Sequence, residues 1–550
     1  MDPAGPDSRP TSSTSTPPEA PAYDEGPKEE CGVFGVWAPG EEVSKLTYFG
    51  LFALQHRGQE AAGMAVSDGR QIVVFKDLGL VSQVFDEQTL SSLRGHLAVG
   101  HTRYSTTGSP TWENAQPTFR TTAAGTGLAL GHNGNLVNTA ELVRRRDAAL
   151  AVNGGPRNGH GGGNRRSSAL VGATTDSDVV TGLLADAAAD LGVEEAALRL
   201  LPDLQGAFSI AFCDETTLYA ARDRHGVRPL VLGRLDRGWV VASETAALDI
   251  VGASFVREVE PGELIAIDAE GLRSSRFAAP EPKGCIFEYV YLARPDTSIS
   301  GRGVHSARVE IGRRLAAEHP AEADLVIPVP ESGTPAAVGY AEASGIPYGM
   351  GLVKNAYVGR TFIQPSQTIR QLGIRLKLNP LREVIRGKRL VVVDDSIVRG
   401  NTQRSLVRML REAGALEVHV RIASPPVRWP CFYGIDFASR AELIANGLDD
   451  EGVRRSVGAD SLGYISQDGL IAATDQPRSR LCTACFSGEY PIPLPEEAMV
   501  GKHLLEDVTG ASCGDGGSGG PVVFEHGRSN GTGMPLGTPG YGAEDALSRP

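Results

Sequence analysis

The chain has 550 residues, with 53 Lys and Arg against 66 Asp and Glu, and a formal net charge of −13. That length supports two to four domains with substantial cores, and the acidic balance leaves no basic face to displace counterions from a nucleic acid. No apolar run approaches the roughly 20 residues of a membrane-spanning helix and the N-terminus has no secretory signal, so a cytoplasmic protein is expected, with its seven cysteines as thiols, metal ligands or nucleophiles before disulfides.

Residues 1–30 are rich in Pro, Ser, Thr and Ala without apolar periodicity, which predicts a disordered leader. It ends at Cys31, where the apolar run Cys31-Gly32-Val33-Phe34-Gly35-Val36-Trp37 predicts a strand. Four further segments follow at strand ends or helix starts: Leu54-Gln55-His56-Arg57-Gly58-Gln59-Glu60, Gly100-His101-Thr102-Arg103-Tyr104-Ser105-Thr106, Gly131-His132-Asn133-Gly134-Asn135 and Thr175-Asp176-Ser177-Asp178. In this order they resemble the class II glutamine amidotransferase domain, an α+β N-terminal-nucleophile hydrolase fold, over residues 31–265. Within it, the Gly/Asn/Arg-rich stretch 153–168 predicts a disordered insertion, and Cys213 in Ala207-Phe208-Ser209-Ile210-Ala211-Phe212-Cys213 reads as a core strand thiol.

The residue types suit amide hydrolysis. A thiolate attacks an amide well, and a cysteine at a chain terminus has its own α-amino group, whose ordinary pKa is about 7.7–8.0, as general base. That chemistry requires removal of residues 1–30 before Cys31. Asn133 and Gly134 supply a side-chain amide and a backbone N–H for the tetrahedral oxyanion. The resemblance implies that Arg103 holds the glutamine α-carboxylate and Asp176 its α-ammonium, as charge-assisted pairs that fix orientation.

A Pro-rich connector is expected at 266–284, after which strands alternate with helices as in a parallel α/β sheet, predicting a second domain over 285–500. Asp324-Leu325-Val326-Ile327-Pro328-Val329-Pro330-Glu331-Ser332-Gly333 reads as a buried strand ending in a hydroxyl- and Gly-rich loop. The segment Lys354 to Pro365 is basic and polar, and its Lys354 and Arg360 are candidate phosphate contacts. The most informative string is Arg389-Leu390-Val391-Val392-Val393-Asp394-Asp395-Ser396-Ile397-Val398-Arg399-Gly400-Asn401-Thr402. An aliphatic strand covered on both faces delivers two carboxylates to its carboxyl end, where open α/β sheets bind ligands. Ser396, Arg399, Gly400, Asn401 and Thr402 then open a helix whose N–H groups suit a 5-phosphate. Carboxylates are poor phosphate ligands, so Asp394 and Asp395 meet ribose hydroxyls or Mg²⁺. The string resembles the phosphoribosyl-diphosphate (PRPP) signature of α/β type I phosphoribosyltransferases, with a doubly wound parallel sheet. Ser332 joins Asp394 and Asp395 as the nearest Mg²⁺ candidates.

Cys285, Cys431, Cys482 and Cys485 are the thiols of the second domain, two of them in a C-x-x-C pair. Four soft thiolates suit tetrahedral zinc or an iron–sulfur cluster, and spacing does not separate the two. Residues 501–550 are Gly-rich, contain Cys513 and predict a disordered tail.

Both halves in this order, with these cysteines, are similar to the glutamine PRPP amidotransferases (amidophosphoribosyltransferases) of the cluster-bearing subgroup, over about residues 31–490. The resemblance implies conversion of PRPP, glutamine and water to 5-phosphoribosylamine, glutamate and diphosphate, the first step of purine synthesis. It also implies a [4Fe–4S] cluster on the four cysteines, a propeptide cut before Cys31, purine nucleotide inhibitors and a homotetramer. Two rivals predict other features. A hexosamine-phosphate synthase would carry a sugar-isomerase second half in place of the Asp394–Thr402 string. A PRPP-sensing regulator would carry a DNA-binding module and no Cys31 apparatus.

Overall fold

Strand Gly32–Trp37 begins one residue after Cys31 and is buried along nearly its whole length, so the core itself fixes where the expected nucleophile stands. The computed structural model describes residues 30–104, 110–152, 174–355, 377–435 and 440–495. The strand lies inside a seven-stranded antiparallel sheet, between Gly238–Ala242 and Leu97–Arg103. A second, six-stranded antiparallel sheet runs Gly271–Arg276, Glu263–Asp268, Leu218–Arg222, Gly206–Cys213, Gly127–Leu136 and Thr118–Thr121.

The two sheets pack face to face through Val33, Val99, Ala129, Ala211, Leu218, Val241 and Ile265. Small and β-branched side chains suit a layer that must fit between two pleated surfaces about 10 Å apart. Helix Val43–Ala53 closes the outer face of the first sheet, and helices Asp176–Leu191 and Val193–Leu200 close that of the second. The result is an α/β/β/α stack. Cys213 sits fully buried in its middle, as expected of a core thiol.

The boundary near the connector falls differently from the sequence reading. Glu263–Asp268 and Gly271–Arg276 form one antiparallel hairpin in which Asp268 pairs with Gly271, so the sheet of the first domain extends into the expected connector 266–284. The second strand is half-exposed and mostly polar, the pattern of an edge that hydrophobicity does not reveal.

In the second half, Arg389–Asp394 pairs in parallel with Leu325–Pro328 on one side and Glu417–Ile422 on the other, with Ser461–Tyr464 beyond. Val326 also bridges in parallel to Tyr348. The second chain segment thus lies outside the first, and the third lies inside it. This is the 2-1-3-4-5 order of a doubly wound sheet, whose ligand crevice opens between the first and third strands. Those strands lead directly into Pro330-Glu331-Ser332 and Asp394-Asp395-Ser396.

A shared core joins the halves, flanked by two short elements at the start of the second. Gly284–Cys285 pairs in parallel with Leu481–Cys482. Val137, Ala207 and Val227 of the first half share one core with Ile286, Phe287 and Tyr433 of the second. Between them runs a wide helical turn, Glu288–Leu292, closed by Ala293 N–H donating to Glu288 O at 3.2 Å. The expected insertion 153–168, Arg360 and the expected tail 501–550 lie outside the described residues.

Candidate active sites

Cys31 lines a cleft with Arg103, Tyr104, Gln116, His132, Gly134, Thr175, Asp176 and Ser177. The structure thereby brings together the expected nucleophile, the two residues expected to hold an amino acid, and one oxyanion candidate. The Cys31 thiol donates to Tyr104 O at 3.3 Å. Burial pushes it up to about 12, more than the Tyr104 contact and the Arg103 charge pull it down. With its nitrogen tied in a peptide bond, Cys31 is therefore a protonated thiol. A nearby base is needed to make it a nucleophile.

Asp176 opens helix Asp176–Leu191, capped by the Thr175 hydroxyl, which accepts from Asp178 N–H at 3.3 Å. Burial alone would push its carboxyl up. His132 beside it and the N–H groups of Leu136 and Ser177 outweigh that and hold it below the usual aspartate range. It stays anionic, as a partner for an ammonium must. Asn133 is fully buried, and neither its amide nitrogen nor its amide oxygen has a hydrogen-bond partner among the described residues. An orphaned buried amide calls for an explanation, and an oxyanion that forms only during reaction is one. Gly134 has φ +146°, and a Cβ there would stand 2.0 Å from Ala207 O, so only glycine fits beside Asn133.

Gln116 is a site residue that the sequence alone does not single out. Its Oε1 accepts from His132 N at 2.8 Å and its Nε2 donates to Ser177 Oγ at 3.0 Å, tying the strand of Asn133 to the helix of Asp176. Its only sequence signal is a polar residue within a buried stretch.

At the other site Asp394, Asp395 and Ser396 are buried at the end of the central strand. Asp394 accepts from Asp395 N at 2.9 Å and from the Gln403 amide, while Asp395 is met by the hydroxyls of Ser396 and Ser332. Burial, and for Asp394 the adjacent Asp395, push both carboxyls up. Such a pair is short of positive charge, the condition under which carboxylates take a cation. Gly333 packs its Cα against the strand end, since a Cβ would lie 2.4 Å from Val393 O. Gly400 has φ +79° and starts helix Asn401–Glu412, which carries Asn401 and Thr402 in its first turn. Arg399 is half-buried, 3.4 Å from Glu442 Oε1. Lys354 is exposed on the short strand Leu352–Lys354, at the edge of the segment that continues outside the described residues. Gln403 is the residue here that sequence reasoning misses.

A buried charge network lies between the two sites. Arg57 Nε donates to Glu244 Oε1 at 2.5 Å, and its Nη2 to Glu288 Oε2 at 2.6 Å. Arg228 pairs with Glu30 and lies 3.6 Å from Glu288 Oε1. The Glu288 carbonyl and that of Tyr289 accept from Arg308, whose charge acts on Asp395. Glu30 is buried here, whereas composition predicts a disordered leader up to that residue. Glu288 does carry a signal, being a carboxylate inside the apolar run Cys285-Ile286-Phe287-Glu288-Tyr289-Val290 that must be paired if buried.

Cys285 and Cys482 are register partners on adjacent strands. Burial raises their thiols, to about 12 and about 11, and Cys431 adds to the effect on both. Cys485 is raised by burial and then by Cys285, Cys482 and Cys431 together. The four thiols therefore share one electrostatic neighbourhood. Among the described residues, however, no group of three or more His, Cys, Asp or Glu side chains closes around a single metal ion.

Family comparisons agree with this division. Residues 165–249 match the family of glutamine amidotransferase domains and residues 304–423 that of phosphoribosyl transferase domains. The amidophosphoribosyltransferase of Mycobacterium tuberculosis is 72% identical over 486 residues, covering 87% of this chain and 90% of that one. The solved glutamine PRPP amidotransferase of B. subtilis, described as complexed with ADP and GMP, superposes with a TM-score of 0.77 at 44% identity over 85% of this chain and 98% of its own. A structure described as the allosteric regulatory enzyme of purine biosynthesis gives 0.78 at 44% identity over 86% and 99%. With both domains matched and near-complete relatives at this identity, the chain belongs to the amidophosphoribosyltransferase family.

Proposed function

We propose that the chain converts PRPP, glutamine and water to 5-phosphoribosylamine, glutamate and diphosphate, the first step of purine synthesis, with the two chemistries on separate residue sets. The observation that carries this reading is the pairing, in one chain, of the Cys31 cleft with the Asp394–Thr402 crevice across a single buried network. Arg103 and Asp176 hold the glutamine α-carboxylate and α-ammonium. The Cys31 sulfur attacks the side-chain amide, and Asn133 and Gly134 receive the oxyanion. Removal of residues 1–30 gives Cys31 a terminal amine as general base. Ammonia passes internally, because in bulk water at neutral pH it would be protonated and lose its nucleophilicity.

At the second site Asn401, Thr402, Gly400, Arg399 and Ser396 take the 5-phosphate, and Lys354 and Arg360 reach the diphosphate. Asp394 and Asp395 hold ribose hydroxyls. Bound Mg²⁺ would offset charge on the diphosphate leaving group. Asp394, Asp395 and Ser332 fit it, because Mg²⁺ takes only one or two carboxylates and leaves its remaining positions to water and substrate phosphates.

Cys285, Cys431, Cys482 and Cys485 are read as the ligands of a [4Fe–4S] cluster, as in the iron–sulfur subgroup. Three of the four thiols are buried and Cys431 is half-buried, and four soft thiolates in one neighbourhood suit an iron–sulfur cluster. The cluster would serve structurally, tying the C-terminal segment to the start of the second domain. No described helix is long and apolar enough to cross a membrane. A cytoplasmic homotetramer inhibited by purine nucleotides completes the proposal. The nucleotides bound in the B. subtilis relative support the last part.

The test is diphosphate release by purified protein supplied with glutamine, PRPP and Mg²⁺. Release that requires both substrates supports the reading. Turnover of glutamine with a hexose phosphate in place of PRPP would replace it.

A further inference from the structure

Glu30 stands immediately before the nucleophile and is only 1% exposed. Its carboxylate pairs with Arg228, and its Oε2 lies 3.3 Å from Arg57 Nη1. Both guanidiniums are held by the second domain. Arg57 Nη2 is 2.6 Å from Glu288 Oε2, and Arg228 Nε donates to Tyr433 O at 2.8 Å. The grip on Glu30 is therefore complete only when the two domains have docked.

Charge separates the uncut chain from the cut one. With Glu30 present, three carboxylates (Glu30, Glu244, Glu288) face two guanidiniums (Arg57, Arg228), with His56 beside Glu244. Without Glu30, two face two. Arg57 keeps Glu244 and Glu288, and Arg228 keeps Glu288 at 3.6 Å. Breaking a buried pair is costly when it strands a charge, and after removal of the leader Arg57 and Arg228 each still have a carboxylate beside them.

We propose that Glu30 is a positioning residue for removal of the leader: the Arg57–Arg228 clamp on its carboxylate holds the Glu30–Cys31 peptide at the Cys31 thiol once the two domains have docked. This rests on the reading that the chain is cut before Cys31. In the step, the Cys31 sulfur bonds to the Glu30 carbonyl carbon and the carbon–nitrogen bond breaks, the thiol proton ending on the Cys31 nitrogen. Water then hydrolyses the thioester, giving a leader that ends in the Glu30 carboxyl and a chain that begins with the free amine and thiol of Cys31. Water is the only co-reactant. Glu30 takes no part in the bond changes and acts by fixing the peptide.

The test follows conversion to chains beginning at Cys31, by intact mass over time, in the full-length protein and in Glu30→Gln, Glu30→Asp and Glu30→Ala. A chain lacking residues 2–30, whose initiator methionine is removed by aminopeptidase, serves as a reference. The Gln and Ala variants should convert at least tenfold more slowly, Asp should restore part of the rate, and the reference should melt at the temperature of the processed wild type. Wild-type conversion rates in the Gln and Ala variants would overturn the proposal. So would slow conversion matched by an equally lowered melting temperature of the uncut chain, which would make Glu30 a merely structural residue. A wild type that is never cut yet fully active would remove the underlying reading as well, and would be recognised by its mass alone.

Discussion

The Arg57 guanidinium reaches Glu288 across the domain boundary, with Nη2 2.6 Å from Oε2 and the two side chains 1% and 2% exposed. Arg57 also holds Glu244, and the backbone of the Glu288 turn holds Arg308, whose charge acts on Asp395. The turn that carries Glu288 thus binds a first-domain arginine through its side chain and, through its backbone, an arginine whose charge acts on the second site.

Glu288→Ala should destabilise the protein by about 3–5 kcal/mol, because it strands a buried guanidinium, and thermal unfolding will show it. The network also sets an acid limit. Burial would raise the Glu244 carboxyl, but His56 and Arg57 outweigh this and hold it well below its ordinary value of 4.5. A depressed carboxylate contributes stability that is fully present above the unfolded value and is lost as pH falls through the folded one. The melting temperature should fall steadily as pH drops below that ordinary value, and less steeply in Arg57→Met.

Asn133→Ala removes a side-chain donor that has no partner among the described residues. Loss of one oxyanion donor costs about 10²–10³ in kcat, so glutamine-dependent turnover should fall by that factor with little change in glutamine KM. A change confined to KM would assign Asn133 to substrate binding instead.

Asp394→Asn and Asp395→Asn remove charge from the crevice while nearly conserving volume. Both should impair PRPP binding and synthesis and leave basal glutamine hydrolysis intact. Wild-type PRPP affinity in either variant would reject its assignment.

Protein purified without oxygen should be brown and carry iron with acid-labile sulfide. Alanine at Cys285, Cys431, Cys482 or Cys485 should lower both cluster content and melting temperature, since metal binding is coupled to folding of the chain around it. Stoichiometric zinc without labile sulfide would establish a tetrathiolate zinc site in its place.

The legible parts of the sequence are those whose chemistry is packed into a contiguous string. The aliphatic run before Asp394-Asp395, and Cys31 at the start of an apolar strand, announce their sites because a strand end delivers neighbouring residues to one place. The parallel sheet of the second half follows from the same alternation of elements. Long-range pairings are silent: Arg57 and Glu288 are 231 residues apart, and spacing says nothing about who neutralises whom. Cys285 and Cys482 stand out as members of a set by residue type, but nothing in the sequence gives their strand register. The hairpin Glu263–Arg276 reads partly as connector because its outer strand is polar. Glu30 reads as part of a disordered leader because composition describes a segment and not its last residue.

The central claim is that glutamine chemistry and ribosyl transfer occupy separate residue sets in one chain, and Cys31→Ala tests it most directly. Measured with PRPP and Mg²⁺ present, 5-phosphoribosylamine formation should vanish with glutamine as nitrogen donor and persist near the wild-type rate with free ammonia. A folded Cys31→Ala protein that loses both reactions equally would contradict the account.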